Sequence, residues 1–76
     1  MLKNIIEHVV KSLVDSPQAV VVTVTHENET DFYEIKVDNQ DIGKVIGKEG
    51  QTIRALRMLV NALNSTTHEV EITIAK

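Results

Sequence analysis

The chain has 76 residues, of which 42 % are hydrophobic, with eight basic and eleven acidic side chains, no cysteine and a formal net charge of −3. That length predicts a single domain over residues 1–76 with an economical core, and the apolar content is too high for a disordered chain. The missing cysteines exclude disulfides, thiol redox chemistry and thiolate metal sites, and they favour a reducing, cytoplasmic setting.

Leu2, Ile5, Ile6, Val9, Val10 and Leu13 recur at helical spacing, so residues 2–14 read as an amphipathic helix that Pro17 stops. Glu7 and His8 interrupt the apolar stretch of this N-terminus, which does not read as a secretory signal. The longest unbroken apolar run, Ala19 to Val22, falls far short of the roughly 20 residues of a membrane span. From Ala19 to His26 the β-branched residues predict a strand, and the polar stretch Glu27 to Asp31 predicts a turn. Phe32 to Val37 alternates, with Tyr33, Ile35 and Val37 on one face, and makes the second half of an antiparallel hairpin.

Asp38 to Asp41 offers N-cap candidates for a short helix over Ile42 to Ile46. After the turn Gly47-Lys48-Glu49-Gly50, a longer helix runs from Gln51 to about Asn64, with Ile53, Leu56, Val60 and Leu63 as its core stripe. A second apolar stripe, Ala55, Met58, Leu59 and Ala62, exceeds what one buried helix face needs and suits a two-fold partner. The polar run Asn64 to Thr67 ends this helix, and Glu69 to Ala75 alternates as a last strand with Val70, Ile72 and Ile74 inward. The expected fold is α+β, ordered α-β-β-α-α-β. Three helices pack on one face of a three-stranded mixed sheet, and the last strand runs parallel to the second because two helices lie between them.

Val45-Ile46-Gly47-Lys48-Glu49-Gly50-Gln51 is the stretch that carries chemistry. Two glycines flanking Lys48 and Glu49 permit a tight turn, and the helix that follows offers free N–H groups and partial positive charge to a phosphate. Lys48 adds an ammonium, while Ile42, Val45 and Ile46 supply an apolar platform. Lys44, Lys48, Arg54 and Arg57 against Glu49 give this segment a local charge of +3, whereas six acids against Lys36 give −5 between Glu27 and Asp41. With screening over about 8 Å, a partner at the glycine turn meets mainly the local charge. Gly43 has two readings, close helix packing or room for a ligand. A nucleotide P-loop is excluded, because three rather than four residues separate Gly43 from Gly47 and Glu49 follows Lys48.

The string from Asp41 to Arg57, with Ile46-Gly47-Lys48-Glu49-Gly50 at its centre, resembles the Ile-Gly-x-x-Gly signature of KH domains. The element order is similar to the bacterial, type II form, and the whole chain is similar to the small stand-alone bacterial KH proteins of the KhpA type. The resemblance implies a cytoplasmic protein that binds short single-stranded RNA, its GxxG loop clamping about four nucleotides. It implies a post-transcriptional regulator or RNA chaperone that pairs with itself or with a larger KH-containing, KhpB-like protein. On the same ground Gly47, Lys48, Glu49 and Gly50 form the phosphate-contacting loop, Ile42, Val45 and Ile46 the groove floor, and Lys44, Arg54 and Arg57 flanking contacts. Glu49 departs from the basic or small residue common in strong KH binders and opposes phosphate.

The competing reading is a dimerisation module with incidental RNA binding, suggested by Glu49, the acidic hairpin and the second stripe of the long helix. Phe32 and Tyr33 are too few aromatics for a stacking platform of the RRM or OB kind. His8, His26 and His68 show no ligand spacing, and Ser12, Ser16 and Ser65 lack a nucleophile elbow. The chain is therefore expected to be no enzyme, with no metal, cofactor, small-molecule substrate or membrane contact.

Overall fold

The structure, a computed structural model, describes residues 2–64 and 68–75. Helix α1 spans Leu2–Leu13, strands β1 and β2 span Val21–Glu27 and Thr30–Lys36, helices α2 and α3 span Ile42–Ile46 and Gln51–Leu63, and β3 spans Glu69–Ile74. The expected order α-β-β-α-α-β is observed; Ser65 to Thr67, at the expected end of the long helix, lie outside the described residues. The sheet order is β1-β2-β3, with β1 antiparallel to β2 and β3 parallel to β2.

The strand boundaries depart most from expectation at two places, each for a local reason. Pro17 opens a 3₁₀ turn over Pro17–Ala19 in which Ala19 N donates to Ser16 O (3.0 Å) and Val20 N to Pro17 O (3.2 Å). Those N–H groups are spent on the turn, so β1 starts at Val21 and not at Ala19. At the hairpin tip Asn28 and Glu29 both take positive φ (48° and 63°), the sign a two-residue type I′ turn requires. The five-residue turn expected there contracts to two, as β1 runs on to Glu27 and β2 begins at Thr30.

One apolar core unites the elements. Ile6 and Val10 of α1, Val45 of α2, and Ile53, Leu56 and Val60 of α3 pack with Val22, Tyr33, Ile35 and Ile72 from the sheet. Strand alternation puts Tyr33 and Ile35 on this inner face as expected, and adds Asp31, expected in the turn. Burial, with the Asp31 carboxylate nearby, pushes the Tyr33 hydroxyl above its ordinary pKa. Leu63, expected in the core stripe, is 47 % exposed at the last turn of α3, past the edge of the inner face.

A buried carboxylate joins the helices at one end. Asp41, only 2 % exposed, makes no side-chain cap on α2; it accepts from Asp15 N (3.2 Å) and Ser16 N (3.0 Å), just beyond the end of α1. The capping role in this segment falls to Asp38, which accepts from Gln40 N (3.0 Å).

At the other end His26 and His68, unrelated by spacing in the sequence, meet on Asp31. Their Nδ1 atoms lie 2.6 and 3.2 Å from Asp31 Oδ1, so each ring donates Nδ1–H to the carboxylate. Asn64 Nδ2 donates to His68 O (2.8 Å), which ties the exit of α3 into the same cluster. No group of three histidine, cysteine, aspartate or glutamate side chains among the described residues is arranged to hold a metal ion. The hydrogen bond from His26 is the main cause holding the Asp31 carboxyl below its ordinary value of 3.8; burial opposes it, and His68 and the charge of both rings add to the lowering. A depressed carboxylate contributes stability that is complete above its unfolded value and disappears as pH falls through the folded one. Urea midpoints of the wild type should therefore fall as pH drops from about 5 to 2. An Asp31→Asn variant should be less stable at neutral pH and show a shallower acid decline; parallel curves would contradict this role.

Candidate nucleic-acid interface

The candidate site is built on a change of backbone direction between α2 and α3. Gly47 ends α2 with φ 77° and ψ 172°, a region essentially confined to glycine, while its N–H still donates to Gly43 O (2.9 Å). A Cβ at Gly47 would lie 2.8 Å from Thr52 N and closer still to Thr52 Oγ1, so the first turn of α3 occupies the space a side chain would need. Lys48–Gly50 forms a 3₁₀ turn closed by Gly50 N to Gly47 O (3.1 Å) and by the bond from Gln51 N to Lys48 O. Glu49 (φ 55°, ψ 26°) and Gly50 (φ 75°, ψ 15°) are both left-handed, and no side chain caps the N-terminus of α3. The result is an exposed loop that carries the positive end of a 13-residue helix.

The cations around this loop are used differently. Lys48 is exposed and forms no ion pair among the described residues. Arg54 Nη2 donates to Glu49 O (2.8 Å), so one edge of its guanidinium braces the loop from the first turns of α3, while its other donors have no partner among the described residues. Arg57 reaches away from the loop, with Nη2 donating to Ile72 O on β3 (3.2 Å). Lys44 pairs with Asp15 and stands 3.9 Å from Asp41. The hydrogen bond that Lys44 donates to the Asp15 carboxylate is the chief reason its ammonium is held above the ordinary lysine value, with Asp41 adding to the effect. The sequence cluster of +3 is thus divided in space: the charge of Lys44 is offset by acids 29 and 3 residues away in the chain. Asp15 lies two residues past the end of α1, and no local spacing signals its arrival here.

The apolar platform is also refined. Val45, expected on the groove floor, is completely buried in the core and backs the platform from beneath. Ile42 and Ile46 are half-buried and pack against the core while keeping outward surface. Gly43 is exposed, with nothing within 4 Å of a built Cβ, which rules out the close-packing reading and leaves open surface on α2. Gly47, Lys48, Glu49, Gly50 and Arg54 therefore come together at the loop, with Ile42 and Ile46 beside it, while Lys44 and Arg57 are turned to other partners.

A three-stranded mixed sheet with three helices on one face, and a GxxG turn between the second and third helices, defines a KH domain of the type II order. The chain belongs to the KhpA/KhpB KH-domain family, whose family model matches residues 3–75. It is 36 % identical over 75 residues to the RNA-binding protein KhpA of Thermotoga maritima, covering 99 % of this chain and all of that one. It is also 39 % identical over 72 residues to the RNA-binding protein KhpA of Streptomyces coelicolor, with 95 % and 91 % of the two chains covered. For the protein of the same name from Chlamydia trachomatis the identity is 42 % over 64 residues, with 84 % and 82 % covered. No solved structure gives a significant match.

The glycines of this segment should separate cleanly in stability. Gly47→Ala should cost about 2 kcal/mol or more, because its φ and the proximity of Thr52 both oppose a side chain. Gly43→Ala, in open helical surface, should gain about 0.5 kcal/mol. Urea denaturation of the two variants checks both signs, and equal midpoints would contradict the loop geometry.

Proposed function

We propose that residues 1–76 act as one KH unit that binds short single-stranded RNA through the Gly47–Gly50 loop. The observation that carries this reading is an exposed, unpaired Lys48 on a loop whose glycine-dependent backbone leads into the uncapped N-terminus of α3. Backbone N–H groups and the helix dipole suit a phosphate, Lys48 and the open donors of Arg54 add charge, and Ile42 and Ile46 give bases an apolar surface. Three relatives from distinct bacteria bear the name RNA-binding protein KhpA, which supports the same ligand class. Glu49 places a negative charge within the same loop, and Lys44 is engaged by Asp15, so binding is modest. One to two phosphates neutralised correspond to a slope of log affinity on log salt of about −0.7 to −1.4.

Replacing Lys48 and Glu49 by aspartates tests the loop. Aspartate tolerates the left-handed conformation of Glu49, so the fold should persist. Binding of a short single-stranded RNA should fall at least about tenfold through lost charge and added repulsion. Unchanged binding by a folded double variant would remove the loop from the site.

The role fitted to such binding is post-transcriptional, as a regulator or RNA chaperone in the cytoplasm, without catalysis. No helix among the described residues is long and apolar enough to cross a membrane. A specific observation adds a partner. The second stripe of α3 is open: Ala55 and Ala62 are exposed, Met58 is 70 % and Leu59 42 % exposed, and Leu63 lies beside them. This face fits a second KH domain, either another copy of the chain or a larger KhpB-like protein, a pairing consistent with the joint family name. Light scattering should give the mass of two chains for the wild type and of one for a Met58→Glu, Leu59→Glu variant with unchanged circular dichroism. A wild type that stays a single chain at high concentration would remove self-pairing.

A further inference from the structure

The face of the sheet opposite the helices is not covered by any described element. Alternation places Val21, Thr23, Thr25 and Glu27 of β1, Phe32, Glu34 and Lys36 of β2, and Glu69, Glu71 and Thr73 of β3 on it. Its charge is −3, four glutamates against Lys36, and among the described residues none of the four takes part in an ion pair. The strand register sorts these side chains into rows. Thr25, Phe32 and Glu71 lie abreast, and Thr23, Glu34 and Thr73 lie abreast one pleat further on. Between the rows is a shallow depression of about 300 Å³ lined by Thr23, Thr25, Glu27, Phe32, Glu34 and Thr73.

We propose that this sheet face is a docking surface for an arginine-bearing segment of another polypeptide, its guanidinium seated on Phe32 between Glu34 and Glu71. Phe32 is the one aromatic ring on the face and is 37 % exposed at its centre. A cation over an aromatic ring that carboxylates flank gains from both the ring quadrupole and the ion pair, and a planar guanidinium also stacks. The flanking threonines add neutral hydroxyl partners that do not compete for charge. The depression is at the small end of ligand pockets, with room for long side chains rather than a cofactor. Charge rejects the other occupants: nucleic acid and anionic lipid are repelled, and two copies meeting sheet to sheet would oppose −3 with −3. The surface does not rest on the RNA reading, because the glycine loop belongs to the helical layer, and both sites can be filled at once.

The test is titration of the ¹⁵N-labelled full chain with a short Arg-Gly-Gly repeat peptide, with a Glu-Gly-Gly repeat as control. Amide shifts should concentrate at Thr23, Thr25, Phe32, Glu34 and Thr73, weaken with added salt, and be absent with the acidic peptide. A Glu34→Gln, Glu71→Gln variant, neutral changes at exposed positions, should keep the fold and bind the peptide about tenfold more weakly. Shifts spread over Asp15, Asp38 and the hairpin tip, or equal binding by the variant, would overturn the proposal. So would concentration-dependent shifts of the sheet amides without peptide, which would assign the face to the basic loop of a second copy.

Discussion

The chain between α2 and α3 can take its path only because Gly47 adopts a backbone conformation closed to other residues and because Thr52 packs into the space its missing Cβ leaves. Everything at the candidate site follows from that contact. Helix α2 is five residues long, too short to persist by itself, and it is held by Val45 in the core and by Asp41 at its entrance. Once Gly47 redirects the backbone, the next three residues must close a 3₁₀ turn before α3 begins, and Arg54 secures the Glu49 carbonyl from within that helix. The loop is exposed yet braced at both ends. A ligand that meets such a loop has less ordering entropy to supply than one that must fold it.

Electrostatics divides the molecule into two unlike surfaces. The helical layer carries the loop with Lys48 and Arg54, while the open sheet face carries four glutamates against Lys36 alone. A net charge of −3 describes neither surface. Distribution along the chain already separates the signs, but folding revises the separation by bringing Asp15 and Asp41 to Lys44. One of the four cations near the loop is thereby neutralised and another, Arg57, is drawn to β3, which leaves a candidate site of low local charge.

How far the fold was legible follows from which interactions are local. The helices announce themselves through 3.6-residue periodicity and the strands through alternation and β-branching, so their order and the parallel return of β3 were readable. The strand ends were not, because the 3₁₀ turn that Pro17 opens captures two N–H groups and because Asn28-Glu29 makes a turn that asparagine-glycine would have signalled more plainly. The glycine loop was readable as a motif, down to its position between two helices. Its surroundings were not. The burial of Val45, the Lys44–Asp15 pair and the convergence of His26 and His68 on Asp31 all depend on contacts between elements distant in sequence. Thr52 is the intermediate case: two residues past Gly50 it was visible, but nothing local ties a threonine there to the conformation of Gly47.

The most direct measurement is amide chemical-shift mapping of the ¹⁵N-labelled chain with a single-stranded RNA oligomer of about four to six nucleotides at low salt. A site at the glycine loop requires the largest changes at Ile46, Gly47, Lys48, Glu49 and Gly50, with Gly43 and Arg54 following and the sheet face silent. Changes centred on the exposed stripe of α3 or on the strands, with the loop amides unmoved, would contradict it.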